Sequence, residues 1–267
     1  MKAIVSITND PQYSFFLPII SWCWNRIGVD VICFVPAKPN ESTWFAMSEI
    51  NKDGSNKNLS YGYKCPPHKE ATYAQCSRLY AAGLYLPEGE MLVTSDVDMA
   101  VFKTPPYIDN GMAGFTVLGQ DLVPSDQVPI CYLSATVSEW RKVFDMYGRS
   151  YQECLDDLLG GIDADHFRGN YWAKDQEEAN NKIANSAGWV HYEPRARPGT
   201  QFAKNRVDRD DINWRSYCGP DLIDAHLWRP GYTDENFAKI LELLQAQYPE
   251  DSFDWLVKYK NDYVSLL

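Results

Sequence analysis

Two aspartates, Asp96 and Asp98, stand one residue apart directly after the apolar run "MLVTS" (91–95). Carboxylates this close repel each other, so a fold that keeps both usually supplies a cation or a proton between them. Because side chains alternate along an extended chain, Asp96 and Asp98 should emerge on one side while Val97 turns to the other. The pair is therefore predicted to converge at the carboxyl end of a buried strand, where α/β proteins bind ligands.

The segment "SDVDMAVF" (95–102) has three interpretations. It is a solvated turn after a strand, since Asp favours such positions. Alternatively, it carries the aspartyl nucleophile of a haloacid dehalogenase-type phosphatase, although that class begins near its N-terminus with this motif. The third interpretation is a divalent-cation site that bridges two carboxylates to a nucleotide diphosphate.

Charge and length restrict the partners. The 267 residues carry a formal net charge of −11, which argues against nucleic acid or an anionic membrane as a partner. An acidic protein needs a bridging cation to hold a diphosphate, which favours the third interpretation. No window approaches 18 apolar residues, so we expect no integral membrane segment and a soluble, cytoplasmic protein. The seven scattered cysteines indicate reduced thiols.

The elements that position the aspartates begin with a βαβ unit. A buried strand at 3–8 is followed by a helix at 14–28, with Ser14 as its cap and Gly28 at its end, and by a second strand at 29–35. Such a unit is right-handed and places a ligand crevice at the carboxyl ends of its strands. That crevice is predicted to be lined by Thr8, Asn9, Asp10 and Tyr13.

The rest of the chain continues the α/β pattern. A helix is predicted at 68–86, and another starts near Ser138, before mixed helical sequence at 150–190. Residues 193–216 are predicted to form a long loop, whose arginines either close over an anionic ligand or form a solvated face. The tail helix at 233–248 has Thr233 as its predicted cap, and its apolar face consists of Phe237, Ile240, Leu241 and Leu244.

Four segments together resemble glycosyltransferases of the GT-A fold, and most of all family 8 and its relatives. These segments are "ITNDPQY" after the first strand, "RLY" with Arg78, "KDQEEAN" with Asp175 and Gln176, and "DAHLWRPGY" with His226, all in the family's order around the Asp96/Asp98 pair. The chain departs from the family where "VPICYLSATVSEW" replaces an Asn-Ala-Gly segment. It also has Arg229 and Pro230 where the family has Lys followed by Pro-Trp.

The resemblance implies a GT-A (Rossmann-like) α/β fold, with a central mixed, mostly parallel sheet flanked by helices. It implies that Asp98, Asp96 and His226 hold Mn²⁺ or Mg²⁺, with Asp96 also on the ribose. Arg78 would contact a phosphate or the donor sugar. Asn9 or Asp10 would read the base edge and Tyr13 would stack on the base. Asp175 and Gln176 would lie on the far side of the sugar from the metal, where Asp175 is suited to stabilise an oxocarbenium-like transition state.

Each of these residues also has a structural interpretation. His226 is a surface or capping histidine, and Arg78 is a surface arginine paired with an acid such as Glu70. Tyr13 is a core aromatic residue, and Asp175 simply favours a helix N-terminus. The sequence leaves these alternatives open.

The predicted function is metal-dependent transfer of a hexose, pentose or deoxyhexose from a nucleotide sugar, UDP-linked by the resemblance, to a glycan hydroxyl with retention of configuration. The alternatives are the aspartyl-nucleophile phosphatase and a non-catalytic module that binds sugar nucleotides. We expect a single domain over 1–267, with a nucleotide-binding half (1–98), an acceptor-side half (99–232) and a helical tail (233–267).

Overall fold

The computed structural model describes residues 1–52, 57–105, 114–118, 126–161, 173–186, 190–193 and 206–267. Its strands are β1 (Lys2–Ser6), β2 (Asp30–Pro36), β3 (Leu59–Tyr63), β4 (Met91–Thr94), β5 (Met99–Val101), β6 (Phe115–Leu118), β7 (Leu133–Thr136), β8 (Val190–Glu193), β9 (Arg206–Val207) and β10 (Asp224–His226). Its α-helices are α1 (Pro11–Ser14), α2 (Leu17–Arg26), α3 (Glu41–Glu49), α4 (Glu70–Ser77), α5 (Val137–Val143), α6 (Tyr151–Leu159), α7 (Lys174–Asn185), α8 (Asp234–Gln247) and α9 (Asp254–Val264).

The described strands form a main sheet of seven and a small sheet of three. The main sheet has the order β3-β2-β1-β4-β7-β6-β8. Strands β3, β2, β1 and β4 are parallel, β7 is antiparallel to both of its neighbours, and β8 is parallel to β6. The predicted mixed, mostly parallel sheet is therefore confirmed.

The central strands are buried on both faces, which explains their continuous apolar sequences. Along β1, Ala3 and Val5 join one hydrophobic cluster while Ile4 joins the other. Strand β2 alternates in the same way, with Cys33 in the first cluster and Phe34 in the second. Helices α2, α8 and α9 cover the first cluster, and α4, α5 and α6 cover the second.

The first βαβ unit is present, but the single helix predicted from Ser14 is wrong. The chain forms the short helix α1, whose N-cap is Asp10, and then starts α2 at Leu17. The Ser14 hydroxyl lies 2.6 Å from the Tyr263 hydroxyl of α9, so a tertiary contact replaces the predicted cap. Gly28 follows α2 with φ +81°, a conformation that suits glycine at a helix end.

Two other predicted helices start or end elsewhere. The helix predicted at 68–86 is α-helical only over α4 and continues as a 3-10 helix, Arg78–Gly83. The helix expected near Ser138 begins at Val137, because Thr136 accepts a hydrogen bond from the Glu139 amide and caps it. Within the predicted loop at 193–216, residues 194–205 lie outside the described residues, and the remainder contains β9 and the 3-10 helix Trp214–Tyr217.

The predicted tail helix is confirmed as α8, with one change in its buried face and one in its cap. Leu243 is fully buried, whereas the predicted Leu241 is only partly buried. The Thr233 hydroxyl donates to the Pro230 carbonyl oxygen over 3.1 Å and makes no capping bond. None of the described helices is long and apolar enough to cross a membrane.

The small sheet joins the C-terminal motif to the aspartate pair. In it, β10 is antiparallel to β5 and parallel to β9, with His226 opposite Met99. The Leu227 amide also donates to the Asp98 carbonyl oxygen over 2.8 Å. This pairing fixes His226 beside Asp98 through the backbone.

Candidate functional site

A cavity of about 250 Å³ opens at the carboxyl ends of β1 and β4. The predicted site residues among those that line it are Thr8, Tyr13, Arg78, Asp96, Asp98, Asp175, Gln176 and His226. Segments far apart in sequence thus meet at the crevice that the βαβ unit predicted. The arrangement brings carboxylates, an imidazole and a guanidinium into one cavity.

The turn between β4 and β5 presents the two aspartates. The Ser95 amide donates to the Ile4 carbonyl oxygen over 2.9 Å, which extends the β1–β4 pairing to the edge of the cavity. The Met99 amide donates to the Asp96 carbonyl oxygen over 3.2 Å and closes the turn. Val97 packs in the first hydrophobic cluster between two aspartates that line the cavity. The two aspartates converge on the cavity as predicted, but Val97 lines the same cavity, so its predicted divergence from the pair is not confirmed.

Asp98 is 4% exposed and is surrounded by positively charged and imidazole groups. Its Oδ2 lies 3.0 Å from Arg209 Nη2 and 3.1 Å from Arg229 Nε, and its Oδ1 lies 3.4 Å from His226 Nε2. Burial alone would raise the pKa of Asp98, but the His226 contact and the two arginines hold this pKa well below its usual value. Asp98 is therefore ionised at neutral pH.

Asp96, Asp98 and His226 form the candidate metal centre. Each offers one ligand atom, and these atoms all lie within 4.8 Å of one another. Two carboxylate oxygens and one imidazole nitrogen suit Mn²⁺ or Mg²⁺, and the imidazole favours manganese. The donor set therefore fits the predicted divalent cation.

Arg78 is buried, so its interpretation as a surface arginine is wrong, although it does pair with acidic side chains. Its Nη1 donates to Asp96 Oδ1 over 2.6 Å and to the Ser95 carbonyl oxygen over 3.0 Å, and its Nη2 donates to Asp175 Oδ2 over 2.8 Å. Burial alone would lower the pKa of Arg78, but Asp96 and Asp175 raise it. Arg78 thus links the candidate metal centre to the start of α7.

The first turn of α7 carries Asp175 and Gln176. Asp175 Oδ1 accepts from the Gln176 amide over 2.9 Å, and burial raises the pKa of Asp175 despite the nearby Arg78. Asp175 thus occupies the helix N-terminus that its structural interpretation required, and it also pairs with Arg78. The side-chain oxygen of Gln176 is buried without a hydrogen-bond partner among the described residues. A buried amide oxygen in that state is an acceptor ready for a ligand hydroxyl.

Tyr13 lines the cavity from α1 and packs partly on the first hydrophobic cluster. The Arg229 guanidinium carbon lies 4.9 Å from the centroid of its ring. This distance is typical of a cation–π contact. The Arg229 guanidinium therefore already covers one face of the Tyr13 ring. Tyr13 both lines the cavity, as a residue that stacks on the base would, and packs against the core, as its structural interpretation required.

Asn9 and Asp10 lie outside the described residues that line the cavity. Asn9 Oδ1 accepts from the Asn40 amide over 2.7 Å, and Asn9 Nδ2 donates to the Lys38 carbonyl oxygen and to Glu70, each over 3.2 Å. Asp10 Oδ1 accepts from the Gln12 amide over 2.8 Å as the cap of α1. The prediction that these residues line the crevice is therefore not confirmed, because Asn9 is held by groups of distant segments and Asp10 by the start of α1.

The sequence did not single out Arg209 and Arg229 as site residues. Arg209 belonged to the segment whose arginines had two interpretations, and the solvated-face interpretation is wrong for it because it lines the cavity. Arg206 is also buried, and its Nε lies 3.3 Å from Asp224 Oδ1. The Tyr132 hydroxyl donates to Asp224 Oδ2 over 2.6 Å. The sequence offered no local signal for these arginines, because the short strands beside them, β9 and β10, were not predicted from it.

Comparison with solved structures identifies the fold. An active-site mutant of LgtC matches with a TM-score of 0.51 at 13% identity, over 92% of this chain and 96% of that one. The galactosyltransferase LgtC in complex with donor and acceptor sugar analogs matches with a TM-score of 0.49 at 12% identity, over 97% and 100%. The glycosyltransferase GlyE of Streptococcus pneumoniae TIGR4 matches with a TM-score of 0.47 at 12% identity, over 99% and 63%.

The fold is the predicted GT-A fold, in which a mixed, mostly parallel α/β sheet is flanked by helices. No protein-family model matches the sequence, and no curated protein matches it. At 13% identity the likeness to the LgtC mutant shows the fold alone, and the chemistry depends on the side chains of the cavity.

Proposed function

We propose that this protein is a metal-dependent glycosyltransferase, which transfers a hexose, pentose or deoxyhexose from a UDP-sugar to a glycan hydroxyl. The observation that carries the proposal is the convergence of Asp96, Asp98 and His226 in a cavity at the carboxyl ends of GT-A strands. As the family resemblance implies, the transfer retains the anomeric configuration. The membership of family 8 is part of this proposal.

In this proposal, Asp96, Asp98 and His226 hold Mn²⁺ or Mg²⁺. When bound, the ion neutralises diphosphate charge and stabilises the departing UDP. Arg78 keeps Asp96 oriented, because it holds one carboxylate oxygen of Asp96 over 2.6 Å. Arg229 lines the same cavity and, with its Nε 3.1 Å from Asp98 Oδ2, supplies a further cation beside the proposed metal centre.

The nucleoside would lie at the end of β1, with Thr8 and Tyr13 in contact with it. Asn9 and Asp10 hold the shape of the loop between β1 and α1. To read the base edge as predicted, Asn9 would have to give up its contacts with Asn40 and Lys38. We therefore assign the nucleoside contacts to Thr8 and Tyr13 first.

At the sugar, Gln176 offers its unpaired amide oxygen to a hydroxyl or to the developing positive charge. Asp175 is held by Arg78 and by the Gln176 amide, so it acts through its charge and its orientation of Arg78. A carboxylate with these contacts is poorly placed to attack the anomeric carbon. This arrangement agrees with a mechanism in which the leaving diphosphate assists the acceptor.

The surroundings of Asp98 weigh against the alternative phosphatase. An aspartyl-nucleophile phosphatase needs the second aspartate as a proton donor, which requires a pKa near or above its usual value. Its surroundings hold the pKa of Asp98 well below that value. The non-catalytic binding module remains as an alternative, and only a measurement of turnover distinguishes it from a transferase.

A thermal-shift experiment with UDP tests the metal and nucleotide parts together. With Mn²⁺ and UDP at about a hundred times its Kd, binding should add about 2.7 kcal/mol of stability, and with a chelator the shift should nearly disappear. Release of UDP from UDP-sugars, against release of phosphate from sugar phosphates, then separates transferase from phosphatase. Equal shifts with and without Mn²⁺ would contradict the ion bridge, and binding without turnover over a broad acceptor panel would favour the module.

A double-mutant cycle tests whether Asp98 and His226 serve one ion. Asp98→Asn and His226→Ala should each weaken Mn²⁺-dependent UDP binding, and the double variant should lose much less than the sum. The cycle is measured as UDP affinity at saturating Mn²⁺, with melting of the metal-free protein as the control. Additive losses would place the two side chains at separate sites.

A further inference from the structure

The guanidinium of Arg209 occupies two side chains of the candidate metal centre, Asp98 and His226. Its Nη2 donates to Asp98 Oδ2 over 3.0 Å and contacts His226 Nε2. Asp98 and His226 are also two of the three candidate metal ligands. The guanidinium therefore uses the same side chains that a divalent ion would use.

His226 turns the same ring nitrogen toward Arg209 and toward Asp98. Its Nε2 contacts Arg209 Nη2 and lies 3.4 Å from Asp98 Oδ1, while Nδ1 lies 4.0 Å from Asp208 Oδ2. The imidazole nitrogen beside Asp98 is therefore already in contact with the guanidinium of Arg209.

Charges at the cavity balance before any ion enters. Among the described lining residues, the acidic side chains are Asp96, Asp98 and Asp175, and the guanidinium groups are Arg78, Arg209 and Arg229. A divalent ion that entered beside Arg209 would meet a like charge at hydrogen-bond distance, which is strongly unfavourable in a partly buried site. The repulsion expected between Asp96 and Asp98 is therefore already offset by the protein's own arginines.

Arg209 is incompletely satisfied in this position. Its Nη1 is buried without a hydrogen-bond partner among the described residues. Its backbone is held by neighbours, since Arg206 of β9 pairs with Asp224 and the Asp211 amide donates to the Asp208 carbonyl oxygen over 3.0 Å. A flexible side chain on a held backbone can move from Asp98 to another anion without refolding the segment.

We propose that Arg209 is an internal cation that competes with the divalent ion for Asp98 and His226, and that it must leave when the ion binds. The inference rests on the metal centre in the proposed function and adds a control on ion binding. Once displaced, the guanidinium can pair its free nitrogen with an anionic group, such as a phosphate oxygen of the donor. Nucleotide diphosphate therefore promotes ion binding by stabilising the displaced Arg209.

The test is Mn²⁺ binding to the nucleotide-free protein, measured by the electron paramagnetic resonance signal of free Mn²⁺. Arg209→Ala should bind Mn²⁺ about ten- to hundredfold more tightly than the unmodified chain, because the ion no longer displaces a charge-assisted hydrogen bond. Arg209→Lys should be intermediate, since an ammonium keeps the charge but not the planar group. Added UDP should tighten Mn²⁺ binding less in Arg209→Ala than in the unmodified chain.

Arg215→Ala is the matched control. Arg215 lies six residues further along the chain, is exposed and pairs with Glu242. It lies outside the described residues that line the cavity, so its loss should leave Mn²⁺ affinity unchanged. If Arg209→Ala does not fold by circular dichroism, Arg209→Gln carries the same expectation with more of the side chain retained.

Two results overturn the inference in distinguishable ways. If Mn²⁺ binding depends on Asp98 but Arg209→Ala changes its affinity less than about twofold, the competition is wrong and the metal centre stands. If no variant shows Mn²⁺ binding that Asp98→Asn abolishes, even with UDP, the metal centre of the proposed function fails and the competition fails with it. Tighter binding in Arg209→Ala that is lost in the Arg209→Ala, Asp98→Asn double variant supports the inference.

Discussion

Replacing Arg78 by Lys should destabilise the protein and weaken donor binding, although the charge is conserved. The guanidinium contacts Asp96 Oδ1 at 2.6 Å and Asp175 Oδ2 at 2.8 Å, and it also donates to the Ser95 carbonyl oxygen. A single ammonium on a shorter chain cannot reach both carboxylates in this geometry. If the ammonium stays with Asp96, Asp175 would remain buried without a positively charged partner.

The expected magnitude comes from the hydrogen bonds that lysine cannot make. One charge-assisted hydrogen bond and one bond to a carbonyl oxygen together contribute about 3 kcal/mol. This agrees with the range of about 3–5 kcal/mol for breaking a buried ion pair. For a chain of this size the melting temperature should fall by about 5–10 °C. UDP affinity in the presence of Mn²⁺ should also fall, because Asp96 loses the contact that orients it.

The assay is thermal unfolding with and without Mn²⁺ and UDP, with Arg215→Lys as the matched control. Arg215 makes a two-pronged contact with Glu242 at 2.5 and 2.7 Å, but it is exposed, so no measurable change is expected there. Adding Asp175→Asn to Arg78→Lys should recover part of the lost stability, since it removes the unpaired buried charge. A melting temperature within about 2 °C of the unmodified chain, with unchanged UDP affinity, would refute the bridging role of Arg78.

The remaining predictions concern nucleoside binding by Tyr13, the loss of folding stability at acidic pH and the buried ion pair of Arg206 with Asp224. Tyr13→Phe should keep UDP affinity while Tyr13→Ala weakens it, as isothermal titration calorimetry can measure; loss of stability with unchanged affinity would make Tyr13 a core residue. The pKa of Asp98 is depressed in the folded protein, so in chelator its stabilising contribution is full above about pH 5 and is lost as the pH falls below about 4. In Asp98→Asn, the unfolding free energy measured with urea should therefore depend less on pH below about pH 4. An unchanged dependence on pH would contradict the cationic surroundings of Asp98. Arg206→Met leaves Asp224 buried without its cation and should cost about 3–5 kcal/mol of unfolding free energy, more than the Arg206→Met, Asp224→Asn double variant; equal costs would mean that the pair is not coupled.

Elements with a local signal could be predicted from the amino-acid sequence. Strands β1, β2 and β4 are continuous apolar runs, and α8 has apolar residues at helical spacing. Each of these elements can therefore be predicted from a short stretch of neighbouring residues. The place of Asp96 and Asp98 after β4 follows in the same way, because the end of an apolar strand is a property of neighbouring residues.

The family order of the motifs extended this local information across the chain. It predicted that His226 lies beside Asp98 and that Asp175 and Gln176 share their cavity, although the sequence contains no local signal for either contact. The small sheet that pairs β10 with β5 is the physical cause of the first contact. The role of each residue in transfer remains a prediction that the experiments above address.

Which charges meet depends on the packing of elements that are distant in sequence. Arg78 reaches Asp175 across 97 residues of sequence, and Arg209 reaches Asp98 across 111. In their local sequence the same polar side chains are compatible with a solvated surface. Asn9 is likewise compatible with a binding role in sequence, whereas in the fold its side chain accepts from the Asn40 amide. A polar side chain is satisfied by whichever partner the fold brings within about 3 Å, and that partner is set by the tertiary structure.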